Sequence, residues 1–228
     1  RYRSCRRVAV PGPVMDAMKR HLDVWPVNLI VAPASDPIGL PRIGDRSLRA
    51  RLIEECGVPV WTIGRRVRVP TLLQSVKNVA CWLDFHSHGA PHLPFAIEYA
   101  QRLGADLHIL RALPAIHEGS LMLGTHQDRA LHPDAAAREI ARLCSGSPVR
   151  PHIHVAQGEG RRALRKMLDE CDADLVFLRN DESFLARWFG LGLRLGDAVP
   201  CPSIYIGDRL GVPVWNLEPG PGNRTSAP

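Results

Sequence analysis

Short apolar segments alternate with amphipathic segments along most of the chain, and this alternation constrains the fold more than any other feature. The segments VNLIVAPA (27–34) and ADLVFL (173–178) are continuous apolar runs, as expected for strands buried on both faces of a parallel sheet. Between such runs, segments such as VMDAMKRHLDVW (14–25) place apolar residues at helical spacing. Strands that alternate with helices predict β-α-β units, and therefore an α/β fold with a doubly wound parallel sheet.

The alternation divides the chain into four parts. Residues 76–208 supply five predicted strands with their helices, which is enough for a complete domain. Residues 1–64 supply only three predicted strands, which are RRVAV (6–10), VNLIVAPA (27–34) and VPVWTI (58–63). Residues 65–75 are basic and polar and predict a linker, whereas residues 209–228 predict a flexible tail.

Composition narrows the class of protein. The 29 basic and 23 acidic residues give a net charge of +6, which favours an anionic partner but falls well short of a nucleic-acid-binding composition. The six cysteines lie mostly in or beside apolar runs and include no Cys-x-x-Cys pair, which predicts reduced core thiols and a cytoplasmic location. No apolar run approaches the roughly 18 residues that a membrane-spanning helix needs, so no membrane span is predicted.

The two halves of the chain also align with each other. The stretch VWPVNLIVAPA…GVPVWTIG (24–64) parallels the stretch CDADLVFLRN…AVPCPSIYIG (171–207). Each contains the end of a helix, an apolar strand, a loop, a second helix and a Val-Pro pair before a last strand. This internal repeat predicts a duplicated domain with a partial first copy.

In these segments the chain resembles the universal stress protein (UspA) family. VACWLDFHSHGAPHLPFAIEYAQRLGADLHILRAL is similar to that family's first strand ending in Asp, short loop, helix and second strand. GEGRRALRKMLDECDADLVFL resembles its third helix and fourth strand, and AVPCPSIYIG resembles its closing Cys-Pro strand. The resemblance implies a parallel five-stranded sheet of order 3-2-1-4-5 in residues 76–208. It also implies that residues 1–64 are the C-terminal half of a first domain, as in tandem members.

The implied strand order exposes a gap in the first copy. Strands 1 and 2 would lie between strands 3 and 4, so a copy with only strands 3, 4 and 5 leaves backbone groups unpaired. We therefore expect the first two strands either upstream of Arg1 or on another chain, and we favour the upstream position. A piece of a larger protein, such as the cytosolic part of a transporter, also fits.

The resemblance further implies a nucleotide site where the carboxyl ends of strands 1 and 4 meet, at the topological switch point. The candidate binding residues are Asp84, Arg179, Asn180 and Gly190. Nucleotide-binding members carry Gly-x-x-Gly after strand 4 and later a Gly-Ser or Gly-Thr, which let backbone N–H groups approach phosphates. Here the chain reads LRNDESFLARWFGLG, with two acidic residues and no Gly-x-x-Gly. We therefore predict a degraded nucleotide site without a required cofactor, and ATP or AMP remain candidate ligands.

The segment DFHSH (84–88) offers a different chemistry. Asp84, His86 and His88 match the Asp-x-His-x-His with which amidohydrolase-type metal sites begin, and His152 and His154 repeat the His-x-His spacing. Such enzymes, however, resemble β/α barrels of about 200–250 residues. Strand 2 would also separate the two histidine pairs by about 10 Å, which is two strand spacings. We predict no metal ligand, and keep a metal-dependent hydrolase as an alternative.

Together these patterns predict a non-catalytic regulatory or scaffolding protein of the stress response. The resemblance implies that its contacts are the terminal strands PSIYIG (202–207) and VPVWTI, paired either in a homodimer or in a pseudo-dimer within one chain. A protein partner fits this interpretation, and no specific nucleic acid is expected. A stress sensor that binds ATP or AMP is the first alternative, and the metal-dependent hydrolase is the second.

Overall fold

The computed structural model describes residues 8–25, 27–33, 48–63, 67, 75–83, 90–113, 132–158, 160–179 and 199–207. The helices in these ranges are α1 (Val14–Val24), α2 (Leu48–Glu55), α3 (Leu93–Leu103), α4 (Pro133–Leu143) and α5 (Gly160–Glu170). The strands are β1 (Ile30–Pro33), β2 (Val60–Ile63), β3 (Asn78–Leu83), β4 (Asp106–Leu113), β5 (His152–Gln157), β6 (Leu175–Arg179) and β7 (Ser203–Ile206). The helix predicted after Asn180 lies outside these ranges.

The strands form one seven-stranded sheet in the order β1-β2-β7-β6-β3-β4-β5. Neighbouring strands pair in parallel, except β2 and β7, which pair antiparallel. Read from β5 to β7, the five strands of the complete copy keep the predicted order 3-2-1-4-5. The α/β fold is therefore confirmed, but the sheet does not match the prediction in full, because β1 and β2 continue it beyond β7.

Helices cover both faces of the sheet, as apolar strands in the middle of a doubly wound sheet require. On one face, α1, α2 and α5 pack over Trp82, Val176 and Tyr205, which are almost fully buried. On the other face, α3 and α4 pack over Phe177 and Ile204, which are fully buried. None of the helices in the described ranges is long and apolar enough to cross a membrane.

The internal repeat extends further than the sequence comparison indicated. Helix α1 contains AMKRHLD (17–23) where α5 contains ALRKMLD (163–169), and the two helices have the same length. A glycine with positive φ precedes each helix at the same distance, Gly12 at 111° and Gly158 at 133°. Residues 8–25 therefore correspond position by position to residues 154–171.

The two strand pairs also correspond to each other. The Ile30 N–H donates to the Pro59 carbonyl at 2.9 Å between β1 and β2, and the Val176 N–H donates to the Pro202 carbonyl at 3.0 Å between β6 and β7. Ile30 is in register with Val60, as Val176 is with Ser203. The pair β1–β2 is thus a structural copy of the pair β6–β7.

The two copies meet around a local twofold axis between β2 and β7. The register pairs Val60 with Tyr205, Trp61 with Ile204 and Thr62 with Ser203. In the repeat, Val60, Trp61 and Thr62 correspond in that order to Ser203, Ile204 and Tyr205. Exchanging the two copies therefore gives the same three residue pairs. The two terminal strands that we nominated as contacts therefore pair with each other within this chain.

The strand predicted at residues 6–10 is wrong for its described part. Residues 8–10 have no strand conformation, and Val8 and Val10 are 51% and 44% exposed. The corresponding residues of the complete copy, 154–156, lie in β5. In the described sheet, the only strand next to β5 is β4. The first copy has no counterpart of β4 in the described ranges, so residues 8–10 lack the partner that a strand needs.

The described cysteines, Cys56, Cys81, Cys144, Cys171 and Cys201, form no disulfide within the described ranges, and all except Cys56 are buried. Burial raises the pKa of the Cys171 thiol to about 11. Burial also raises the pKa of the Cys201 thiol. These two groups are therefore protonated core thiols at neutral pH.

Candidate functional site

The topological switch point of the sheet lies between β3 and β6. From β3 the chain proceeds to β4 and β5 on one side, and it then returns to β6 and β7 on the other side. Both β4 and β6 pair in parallel with β3. Doubly wound sheets bind ligands beyond the carboxyl ends of the strands that flank such a point. The nucleotide site predicted from the sequence belongs to this edge of the sheet and stays a prediction.

Of the residues predicted for this edge, the structure describes Arg179, the last residue of β6, which is partly buried. The register of Cys81 with Phe177 brings the carboxyl ends of β3 and β6 side by side. Five other predicted or alternative site residues lie outside the described ranges, namely Asp84, His86, His88, Asn180 and Gly190. Their assignment stays a prediction from the sequence.

His92 closes the segment that follows β3. The side chain is fully buried, and its Nε2 lies 2.7 Å from the Trp82 carbonyl oxygen. Because a carbonyl oxygen only accepts, Nε2 carries the proton and donates it in this hydrogen bond. His92 also precedes the first residue of α3. This histidine of the CWLDFHSHGAPH segment thus ties the start of α3 back to β3.

Arg111 is a buried cation near the switch point that the sequence analysis missed. It is in register with Leu83, the last residue of β3, and its side chain is 7% exposed. Its Nη1 donates to Glu139 Oε2 of α4 at 2.8 Å, and the Glu139 side chain is 47% exposed. The ion pair holds α4 over the carboxyl half of β4. A lone arginine within an apolar strand run was the available signal, because a buried charge requires a partner.

Three histidines meet nearer the amino ends of β4 and β5. His108 is in register with His152, and their rings stack with centroids 5.0 Å apart. His108 Nδ1 and His154 Nε2 lie 3.0 Å apart in a hydrogen bond. The sequence analysis singled out His152 and His154 but missed His108, since spacing along one strand does not show which residue of the neighbouring strand lies alongside.

Burial lowers the pKa of two histidines of the cluster, His108 and His154. Burial lowers the pKa of His108, and His154 and His152 lower it further, against a smaller opposing effect of Asp106. Burial likewise lowers the pKa of His154, with His152 acting in the same direction and Glu170 opposing. At neutral pH the two rings therefore share one proton in a hydrogen bond between neutral groups.

The described ranges contain no group of three or more His, Cys, Asp or Glu side chains arranged to hold a metal ion. Strand β4 lies between β3 and β5, as the predicted order requires. His152 and His154 consequently contact His108 of β4 and lie two strands away from the end of β3. His86 and His88 lie outside the described ranges, so the combination of the two His-x-His pairs stays an alternative from the sequence.

Comparison with known proteins places the fold. Residues 75–192, slightly more than half of the chain, match the family model described as the universal stress protein family. The structural class is that of doubly wound α/β proteins with one topological switch point in the described sheet. Within that class, the chain belongs to the universal stress protein family. A comparison with curated protein sequences gives no match.

Solved structures of universal stress proteins share the fold. One from Archaeoglobus fulgidus DSM 4304 has a TM-score of 0.59 at 16% identity, covering 88% of this chain and 68% of that chain. A putative member from Pseudomonas aeruginosa UCBPP-PA14 has a TM-score of 0.56 at 12% identity, covering 86% and 69%. A member from Archaeoglobus fulgidus in complex with dAMP has a TM-score of 0.41 at 16% identity, covering 58% and 99%. At their identities of 16% and 12%, the likeness to the first two structures shows the fold alone.

The Arg111–Glu139 pair gives a first prediction. We expect Glu139→Gln to lower the free energy of unfolding by about 1–3 kcal/mol, because it removes the charge that balances a buried guanidinium. The control is Asp169→Asn, in a pair with Arg165 whose side chains are 57% and 55% exposed. That change should cost less than about 0.5 kcal/mol. Urea denaturation at neutral pH measures the free energy of unfolding of both variants. Equal losses in the two variants would contradict the stabilising role of the Arg111–Glu139 pair.

The histidine cluster predicts a loss of stability in mild acid. A histidine of the unfolded chain titrates near pH ~6.5, whereas His108 and His154 bind protons less tightly when folded. The unfolded state therefore takes up more protons as the pH falls below that value. The free energy of unfolding is therefore highest above the pKa of an unfolded histidine. It decreases as the pH falls towards the lower pKa values that His108 and His154 have in the folded state.

Urea denaturation between about pH 7 and about pH 5 measures this dependence. We expect the free energy of unfolding of His154→Gln to depend less on pH, because His108 then loses a neighbouring imidazole. His132→Gln, at an exposed histidine ahead of α4, is the control and should keep the original slope. An unchanged slope in His154→Gln would show that the cluster does not set the pH dependence.

Proposed function

We propose that this universal stress protein is a non-catalytic regulatory or scaffolding protein of the stress response, which acts through association of its strands. The observation that carries the proposal is the antiparallel pairing of β2 with β7 around a local twofold axis. This pairing buries the last strand of the complete copy, with Ser203, Ile204, Tyr205 and Ile206 fully buried. Within the described ranges, this strand pairing is the contact that supports association rather than catalysis.

The described part of the switch-point edge supports a structural role for its ionisable residues. Arg111 is engaged by Glu139, and His92 donates to the Trp82 carbonyl. The sequence that follows Asn180 begins with Asp181 and Glu182 and has no Gly-x-x-Gly, so it is poorly suited to bind phosphate through backbone N–H groups. The free, buried cysteines support the proposed cytoplasmic location.

One observation favours the alternative of an ATP- or AMP-binding sensor. In the sequence, Asp84 directly follows β3, and Arg179 ends the adjacent strand β6. An acidic group and a cation that are both predicted for this edge suit a nucleotide. The metal-dependent hydrolase has less support, because β4 lies between β5, which carries His152 and His154, and β3, which the DFHSH segment follows in the sequence.

Calorimetric titration with ATP and AMP tests the proposal. We expect no binding up to about 1 mM nucleotide, because the phosphate-binding glycines are missing. The test includes Asp84→Ala, at the predicted site, and Asp106→Ala, at an exposed residue that begins β4. Metal analysis of the purified protein accompanies it.

Micromolar binding that Asp84→Ala abolishes and Asp106→Ala preserves would contradict the proposal and establish a nucleotide sensor. A stoichiometric metal lost in Asp84→Ala would instead support the hydrolase. Absence of both would leave strand association as the basis of function.

A further inference from the structure

The histidine cluster on β4 and β5 carries an inference beyond the proposed function. We propose that His108 and His154 together bind one divalent transition-metal ion of the class that suits imidazole ligands, namely Zn²⁺, Ni²⁺ or Cu²⁺. The ion would link β4 to β5. This site lies nearer the amino ends of the two strands, away from the carboxyl edge for which the nucleotide site is predicted.

The sequence alone predicts no metal ligand, because a strand separates His152 and His154 from the DFHSH segment. In the structure that intervening strand is β4, and it supplies a histidine of its own. His108 is in register with His152 on the neighbouring strand. Since residues i and i+2 of a strand point to the same face, His154 shares this face as well. The three imidazoles therefore meet without any residue of the DFHSH segment.

The distance between two of the ring nitrogens suits a shared ion. His108 Nδ1 and His154 Nε2 lie 3.0 Å apart. Two imidazole nitrogens that bind one ion at about 2.0–2.1 Å, with about 90–109° between the bonds, are separated by about 2.9–3.4 Å. The ion would take the place of the shared proton, to one side of the line between the nitrogens. That proton moves to the other nitrogen of its own ring, so both imidazoles stay neutral.

No second hydrogen bond fixes the His108 ring within the described ranges. Its Nε2 is buried and has no hydrogen-bond partner there. The ring can therefore turn towards an ion without breaking another hydrogen bond. Metal-bound histidines usually donate their second ring N–H to a carboxylate or carbonyl, which strengthens binding. Because His108 lacks such a partner in the described ranges, we expect micromolar affinity rather than the tighter binding of a structural zinc site.

The described geometry supports two protein ligands. No three His, Cys, Asp or Glu side chains of the described ranges are arranged to hold an ion. A four-coordinate ion would therefore keep two positions for water or another small ligand. His152 is a further donor close by, because its ring stacks on His108 with the centroids 5.0 Å apart and the residue is exposed.

Negative charge around the cluster favours a cation. Asp106 lies two residues before His108 on β4, and its carboxylate stabilises positive charge on the His108 ring. Glu170 has the same effect on His154. Glu170 is also the last residue of α5, and the C-terminal end of a helix carries partial negative charge. These charges offset part of the cost of bringing a divalent ion to partly buried rings.

Titration with Cu²⁺, followed by NMR of the histidine rings, tests the proposal on the unmodified chain. The chain is first freed of metal with a chelator and then titrated at neutral pH. We expect substoichiometric Cu²⁺ to broaden the His108 and His154 signals before those of His21 and His132, because a paramagnetic ion broadens signals close to it. Mg²⁺, which requires oxygen ligands, should leave all of these signals unchanged.

Equilibrium dialysis against Zn²⁺ compares variants. His154→Gln keeps a hydrogen-bonding side chain but removes one imidazole, so we expect the Kd of the tightest Zn²⁺ site to rise at least about tenfold. His132→Gln, at an exposed histidine ahead of α4, is the matched control and should leave this Kd unchanged. A double variant with His86→Gln and His88→Gln, in the DFHSH segment, should leave it unchanged too.

Broadening that begins at His108 and His154, with weaker Zn²⁺ binding in His154→Gln, would support the proposal. Broadening that begins at His86 and His88, with Zn²⁺ binding lost in the double variant, would overturn it and favour the hydrolase. Equal Zn²⁺ binding by the unmodified chain and His154→Gln, or no binding by either, would overturn it as well. None of these results depends on the nucleotide titration, so the two proposals fail separately.

Discussion

The antiparallel pairing of β2 with β7 is the interaction on which the rest of the structure depends. Two strands with their helices form at best a marginal unit by themselves, so β1 and β2 need the complete copy as support. The complete copy gains in return, because β2 covers the outer edge of β7. Tyr205 and Val60 meet across this boundary, and both are fully buried. One strand pair thus joins two copies of one folding pattern into a continuous sheet.

Around this sheet, the buried polar groups hold helices and strands in place. Arg111 anchors α4 through Glu139, and His92 anchors the start of α3 through the Trp82 carbonyl. His108 links β4 to β5 through His154. Each of these groups is thus engaged by another group in the described part of the molecule. The topological switch point lies between β3 and β6.

The elements that the sequence predicted correctly are those whose pattern is local. The apolar runs of β3, β4, β6 and β7 and the helical spacing of α1 and α5 each appear within a few residues of their predicted bounds. The family resemblance also led us to expect that the terminal strands would meet. Residues 8–10 of the predicted strand 6–10 form no strand because the described ranges contain no partner for them, which no local pattern reveals. Arg111 and His108 were missed because their importance comes from Glu139 and His154, which lie on other elements.

Disulfide cross-linking across the local twofold axis tests the central claim most directly. Thr62 and Ser203 face each other in register and are both fully buried, so Thr62→Cys with Ser203→Cys places two thiols on opposed strands with little change in volume. Under mild oxidation, the double variant should form an intramolecular disulfide in most molecules, whereas each single variant should form none. A double variant that stays reduced, or that cross-links only between molecules, would show that β2 and β7 do not pair within one chain.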